Sequence, residues 1–138
     1  MRVMGVDYGD VRIGVALSDP LGFTAQAFTV LDARKTPDVS AALADIAIKQ
    51  EVSRIVVGYP RNMNGTVGER AQKSELFAQQ LERATGLPVS LVDERLSTVS
   101  AQRMLITGHV RREKRRAVVD KVAAALILQT YLDSGGRP

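Results

Sequence analysis

The chain has 138 residues, 45% hydrophobic, 25% charged and 4% aromatic, the profile of one compact soluble domain with a single ordinary core. Without cysteine it can hold no disulfide, zinc-thiolate site or catalytic thiol, and a reducing, cytoplasmic setting is expected. Nineteen Lys and Arg against fifteen Asp and Glu give a net charge of +4, a mild tilt toward a polyanionic partner.

In chain order, Val3 to Tyr8 and Arg12 to Ser18 are short apolar runs around Gly9-Asp10, the pattern of a β-hairpin, and Phe23 to Leu31 can supply a third strand. Thr36-Pro37 reads as an N-cap with proline in the first helical position, opening a helix with Val39, Leu43 and Ile46 on one face. Arg54 to Tyr59 is a continuous apolar run suited to a strand buried on both faces. Thr66-Val67-Gly68-Glu69 has capping-box spacing and starts a second helix, which Gly86 and Pro88 close. Val89 to Val92 is another strand. Ser97 or Thr98 can cap a third helix ending near Gly108, and Ala117 to Leu132 forms a fourth. That apolar stretch contains Asp120 and Lys121 and is too short to span a bilayer, and the N-terminus lacks a signal-peptide pattern, so no membrane partner is expected. The element order implies an α/β fold, a mixed sheet covered by helices on both faces, with chemistry gathered where strands end and helices begin.

Three acids stand in unusual places. Asp7 ends an apolar strand on the face of Val3 and Gly5, a position that turn chemistry alone can explain. Gly14, Ala16 and Ser18 make one face of the next strand small, leaving room for a ligand or metal beside it. Asp93 and Glu94 end the last strand on opposite faces, so only one can share a pocket with Asp7; both can also be surface acids with Arg95 as a weak partner. Asp120 lies near the start of the last helix, on a stripe with Ala124, Ile127 and Tyr131. A helix N-terminus offset of roughly 0.3 to 1 kcal/mol does not cover desolvation of a lone carboxylate, so a cation such as Lys121 or an arginine is expected nearby.

Together, Asp7, Glu94 and Asp120 can converge on one crevice. Carboxylates a few ångströms apart repel by roughly 4 kcal/mol per pair at an effective dielectric near 20, which calls for a divalent metal or shared protons. An all-oxygen set suits Mg2+ or Mn2+, and two such ions roughly 3.5 to 4 Å apart can activate water and stabilise the leaving oxygen in phosphodiester hydrolysis.

Arg111, Arg112, Lys114, Arg115 and Arg116 form a basic run before Asp120. Such runs are usually solvated loops, but here the run can hold a nucleic-acid backbone in a salt-sensitive way. The polar loop after the central strand offers Arg61, Asn62 and Asn64 for phosphate or sugar, a mobile connection being an equally good account. Arg12 and Arg95 join them as candidate substrate contacts. His109, the sole histidine, is best read as a surface residue, and Ser97, Thr98 and Ser100 have no base-and-orienter set. Gly5, Gly9 and Gly14 miss the dinucleotide spacing, and no phosphate-loop signature occurs.

Four blocks carry a resemblance across nearly the whole chain: Asp7-Tyr8-Gly9-Asp10-Val11-Arg12-Ile13-Gly14-Val15-Ala16, Gly58 to Thr66, Asp93-Glu94-Arg95-Leu96-Ser97-Thr98, and Val119 to Ala124. In this order they resemble the YqgF family, also called RuvX or Holliday junction resolvase-like, of the ribonuclease H-like superfamily. The resemblance implies a single ribonuclease H-like domain over 1–138 with a five-stranded mixed sheet, and metal-dependent nuclease chemistry with Asp7, Glu94 and Asp120 as ligands. It also implies a role in maturing the 5′ end of precursor 16S rRNA, free or within a pre-ribosomal particle. Asp10 stands where the family carries threonine or serine, adding an acid to the local charge.

Other readings are a Holliday junction resolvase, which needs two symmetry-related sites, and a non-catalytic RNA-binding module. An actin-like ATPase or sugar kinase, suggested by Asp7-Tyr8-Gly9, generally needs two lobes where this chain supplies one. The chain is expected to be a monomer or homodimer.

Overall fold

A computed structural model describes residues 2–61, 64–94 and 112–135, the side chains of 112–121 excepted. Strand β1 (Arg2–Tyr8) pairs antiparallel with β2 (Arg12–Ser18), aligning Met4 with Leu17 and Asp7 with Gly14. At the turn, a Cβ on Gly9 would lie 2.7 Å from the Arg12 carbonyl oxygen, so the chain reverses closely only because that residue is glycine. Strand β3 (Ala25–Asp32) pairs antiparallel with β2, while β4 (Val52–Tyr59) and β5 (Val89–Asp93) add in parallel beyond β1. The order β3-β2-β1-β4-β5 is the five-stranded mixed sheet expected from the sequence.

Helices α1 (Val39–Lys49) and α2 (Glu69–Thr85) cover one face. Helix α1 starts later than expected: Asp38, not Thr36, is the N-cap, and its carboxylate accepts from the Ala41 N–H at 3.0 Å. Asp is at least as strong a cap as Thr, and here Pro37 precedes the cap instead of occupying the first turn. The capping box expected for α2 does not form either. The Thr66 hydroxyl donates to Asn64 Oδ1 at 2.7 Å, and Gly68 caps without a side-chain bond. Gly86 closes α2 in the left-handed conformation (φ 68°), its N–H donating to the Glu82 carbonyl at 2.9 Å.

Helix α3 (Arg112–Asp133) covers the other face. It starts earlier than the apolar pattern indicates, because Arg, Lys and Glu are good helix formers and carry the helix back through the basic run. Arg112, Lys114, Arg115 and Arg116 are thus helical, not a loop. Asp120 lies more than two turns in, outside the first turn where the helix dipole acts. The helix expected between Ser97 and Gly108 lies outside the described residues.

In place of the single core expected, strand alternation sorts the side chains into two, one on each face of the sheet. Met4, Val6, Ile13, Val15, Leu17, Ile55 and Val57 pack with Leu43, Phe77 and Leu81 under α1 and α2. Val3, Ala16, Val56 and Val92 pack against Ala123, Ala124, Ile127, Leu128 and Tyr131 of α3. A Cβ on Gly5 would stand 2.7 Å from Leu128 Cβ and 2.9 Å from the Ala124 carbonyl oxygen, so the missing side chain lets the helix lie directly on β1. Gln129 bonds the backbone of Ala25 and Phe23 at the β3 start, the sheet end where Ser18 meets Val3, whereas Ala124 lies over Gly5. Helix α3 therefore runs antiparallel to β1, and its chain before Ala124 heads toward the C-terminal end of that strand. Among the described residues no helix is long and apolar enough to cross a membrane.

Candidate active site at the strand ends

Asp7 is the penultimate residue of β1 and is buried. Alternation puts it on the α3 face with Val3 and Gly5, beside Gly14 of β2. On the next strand, the pairing of Val6 with Val57 brings Gly58 level with Asp7. Gly58 pairs in turn with Val92 of β5, which shares its face with Glu94. A Cβ on Gly58 would lie 2.5 Å from Ile127 Cδ1 and 3.4 Å from the Glu94 carboxyl carbon, and Glu94 Oε1 is buried. Asp7 and Glu94 thus sit on one face, on either side of a glycine against which the Ile127 side chain packs.

The same alternation sends Asp93 to the α2 face, where its carboxylate lies 3.8 Å from Arg61 Nη1. That settles which of the neighbouring acids shares a face with Asp7. Of the small residues opposite Asp7, Ala16 is fully covered by α3, and Ser18 Oγ accepts from the Val3 N–H at 2.9 Å. Only Gly14 stands directly beside the acid.

Asp120 belongs to α3, but its side chain lies outside the described residues; the later members of its stripe, Ala124, Ile127 and Tyr131, are all buried against the sheet. Among the described residues no three His, Asp or Glu side chains gather into a metal-holding group.

The expected substrate contacts divide in a similar way. Arg12 opens β2 and is half-buried. Asn64 is exposed, and its Oδ1 accepts from the Thr66 N–H and hydroxyl at 3.1 and 2.7 Å. Arg61 is held within the protein, its Nε donating to the Gly65 carbonyl at 3.1 Å. Asn62, Arg95, His109 and Arg111 lie outside the described residues, as do the side chains of Arg112, Lys114, Arg115 and Arg116. The extra acid, Asp10, is exposed and pairs at 3.3 Å with Lys73 of α2, which belongs to the opposite face from Asp7.

Residue type alone gives no sign of the Tyr59–Glu75 pair, nor of the place of Gly58 between the two acids. Tyr59 donates its hydroxyl to Glu75 Oε1, and this bond, followed by burial, raises the phenol above its ordinary value. A glycine inside an apolar strand was the available signal for Gly58.

Residues 1–134 match RuvX, described as a Holliday junction resolvase. The chain belongs to the RuvX family. A RuvX relative from Pelotomaculum thermopropionicum is 50% identical over 139 residues, covering 100% of this chain and 90% of its own. One from a Geobacillus species is 53% identical over 136 residues, covering 97% and 99%. Both are named as candidate pre-16S rRNA nucleases. Among solved structures, Thermus thermophilus RuvC in complex with a Holliday junction substrate superposes with a TM-score of 0.58 at 17% identity, covering 99% of this chain and 97% of that one. The fowlpox virus resolvase gives 0.57 at 11%, covering 99% and 100%. At these identities what is shared is the fold, the ribonuclease H-like architecture expected from the sequence.

Proposed function

We propose that this RuvX chain is a cytoplasmic nuclease that hydrolyses phosphodiester bonds at the 5′ end of precursor 16S rRNA, with Asp7, Glu94 and Asp120 as its catalytic carboxylates. The observation that carries this reading is the placement of Asp7 and Glu94 on one face, flanking Gly58, while α3 brings Asp120 toward the same strand ends. RNA is preferred to a DNA junction because relatives near 50% identity are named for pre-16S rRNA, whereas the solved resolvases, at 17% and 11% identity, share the fold alone; the family's description as a Holliday junction resolvase makes the junction the second reading.

The donor set fits a hard divalent cation. Carboxylate oxygens are the ligands that Mg2+ and Mn2+ take, and one oxygen of Glu94 is already withdrawn from solvent on the face that carries Asp7. Bound there, a pair of such ions would supply an ionised water and neutralise charge on the leaving oxygen. Asp7 and Glu94 contribute fixed negative charge from rigid strand ends, and Asp120 would complete the set from α3. Arg112, Lys114, Arg115 and Arg116, in the first turns of the same helix, would bind backbone phosphates ahead of the carboxylates; Arg111 and Arg95 would extend that contact.

Purified protein offered a precursor 16S rRNA fragment and a four-way DNA junction in parallel should cut the RNA, with Mg2+ or Mn2+ and not with EDTA. Asp7→Asn should abolish cutting while leaving the melting transition in place. Preferential, paired cutting of the junction would instead favour the resolvase reading, and full activity of Asp7→Asn would remove the mechanism.

A further inference from the structure

Behind the acid site, on the α2 face, Tyr59 and Asp93 are paired as the last residues of β4 and β5. The Arg61 guanidinium lies 6.0 Å from the centre of the Tyr59 ring. Its Nε and Nη2 donate to the Gly65 carbonyl, at 3.1 and 2.5 Å, and its Nη1 faces Asp93 Oδ2 at 3.8 Å. Tyr59 is tied in turn to Glu75 of α2. One planar fork thus joins the turn after β4, the ring that ends β4 and the carboxylate that ends β5, which a lysine, with a single point charge, would not reproduce. The Arg61 and Asp93 side chains are 35% and 16% exposed, so the pair is half-sheltered and water screens it less than it screens an open surface ion pair.

Each anchored residue is the chain neighbour of one at the acid site: Tyr59 follows Gly58, and Asp93 precedes Glu94. Gly58 and Tyr59 pair with Val92 and Asp93 in one ladder, and Glu94 follows Asp93 directly, so a shift of either anchor moves Glu94 relative to Gly58 and Asp7. Misplacement by about 1 Å can cost about a hundredfold in rate. We infer that Arg61 is a positioning residue, which sets the Glu94 carboxylate relative to Asp7 by clamping the ends of β4 and β5 from the opposite face, and is not a phosphate contact. This inference rests on the nuclease reading above.

The test compares Arg61→Ala, Asp93→Asn and the double variant in steady-state cleavage of precursor rRNA, RNA affinity against salt in an Asp7→Asn background, and Mn2+ affinity of the protein alone. A clamp predicts kcat lower by about 10- to 100-fold in each single variant, a double variant no worse than Arg61→Ala, unchanged RNA affinity and salt slope, and weaker Mn2+ binding. Arg61→Lys should stay impaired, since the fork is lost while the charge remains. Weaker RNA binding with a salt slope reduced by about one and an intact kcat would make Arg61 a phosphate contact and overturn the clamp, as would wild-type kcat in Asp93→Asn. Should Arg61→Ala fail to fold, Asp93→Asn and Tyr59→Phe, which preserve side-chain volume, decide the matter through the same readouts. A wild-type protein that cuts no RNA but binds Mn2+ refutes the nuclease reading and leaves Mn2+ affinity to decide the clamp. A wild-type protein that binds no Mn2+ overturns both.

Discussion

On the α1/α2 face, strands β1, β2 and β4 present Met4, Val6, Ile13, Val15, Ile55 and Val57, whereas on the α3 face β1, β2 and β4 present Gly5, Asp7, Ala16, Val56 and Gly58. The first face is aliphatic and fully covered. The second gives up side-chain volume at Gly5, Gly14 and Gly58, so that a helix can lie close and carboxylates can sit at strand ends. Burial on the first face stabilises the fold; the second spends part of that stability on holding acids together, a cost acceptable only where chemistry needs it.

Ile55→Ala should separate the two faces most strongly. Ile55 is fully buried under α1 and α2, so its truncation should cost about 2 to 5 kcal/mol in chemical denaturation, while activity per folded molecule stays near wild type. A selective loss of activity there would mean that the faces are not functionally distinct.

On the other face, Gly5→Ala should cost about 1 to 3 kcal/mol, because the new methyl meets Leu128 Cβ and the Ala124 backbone oxygen, neither of which can swing aside. Activity should fall with it as α3 is pushed away. Gly58→Ala sharpens the contrast: the nearest atom is the mobile Cδ1 of Ile127, so stability should fall less, yet the displaced Ile127 side chain lies on the face that carries Asp7 and Glu94, and cleavage should drop. The two glycines should thus rank oppositely by stability lost and by activity lost per unit of stability.

Away from both faces, Asp38→Ala removes the α1 cap and should cost about 1 kcal/mol without changing cleavage. The smallest effect concerns pH. N–H groups of Thr24 above all, then of Phe23 and Leu21, outweigh burial and hold the Asp19 carboxyl below its ordinary value of 3.8. A carboxyl depressed in the folded state stabilises above its unfolded value and loses that contribution as pH falls through the folded one. Wild-type stability should therefore fall more steeply below about pH 4 than that of Asp19→Asn, in acid unfolding curves.

Much of this contrast was legible in the sequence. The β1–β2 hairpin, the buried run of β4 and the Gly86 stop are written in local chemistry, and Asp7 was conspicuous because a carboxylate interrupted an apolar strand. Alternation alone separated Asp93 from Glu94 but could not choose between them, since the choice depends on which face α3 covers. The start of α3 was hidden because a run of arginines looks equally like loop or helix until packing of the following turns fixes it. Arg61 reads in sequence as a phosphate or sugar contact or as part of a mobile connection, because its partner Asp93 is brought to it only by the parallel pairing of β4 with β5. The roles of the basic run and of the Asp120 carboxylate rest on chemistry and family resemblance.

Anomalous diffraction from a crystal soaked in Mn2+ tests the acid site most directly. The expected result is a manganese peak above the ends of β1 and β5, bonded to carboxylate oxygens of Asp7, Glu94 and Asp120. Manganese bound elsewhere with none there, or a peak at the strand ends that omits any one of these three side chains, would contradict it.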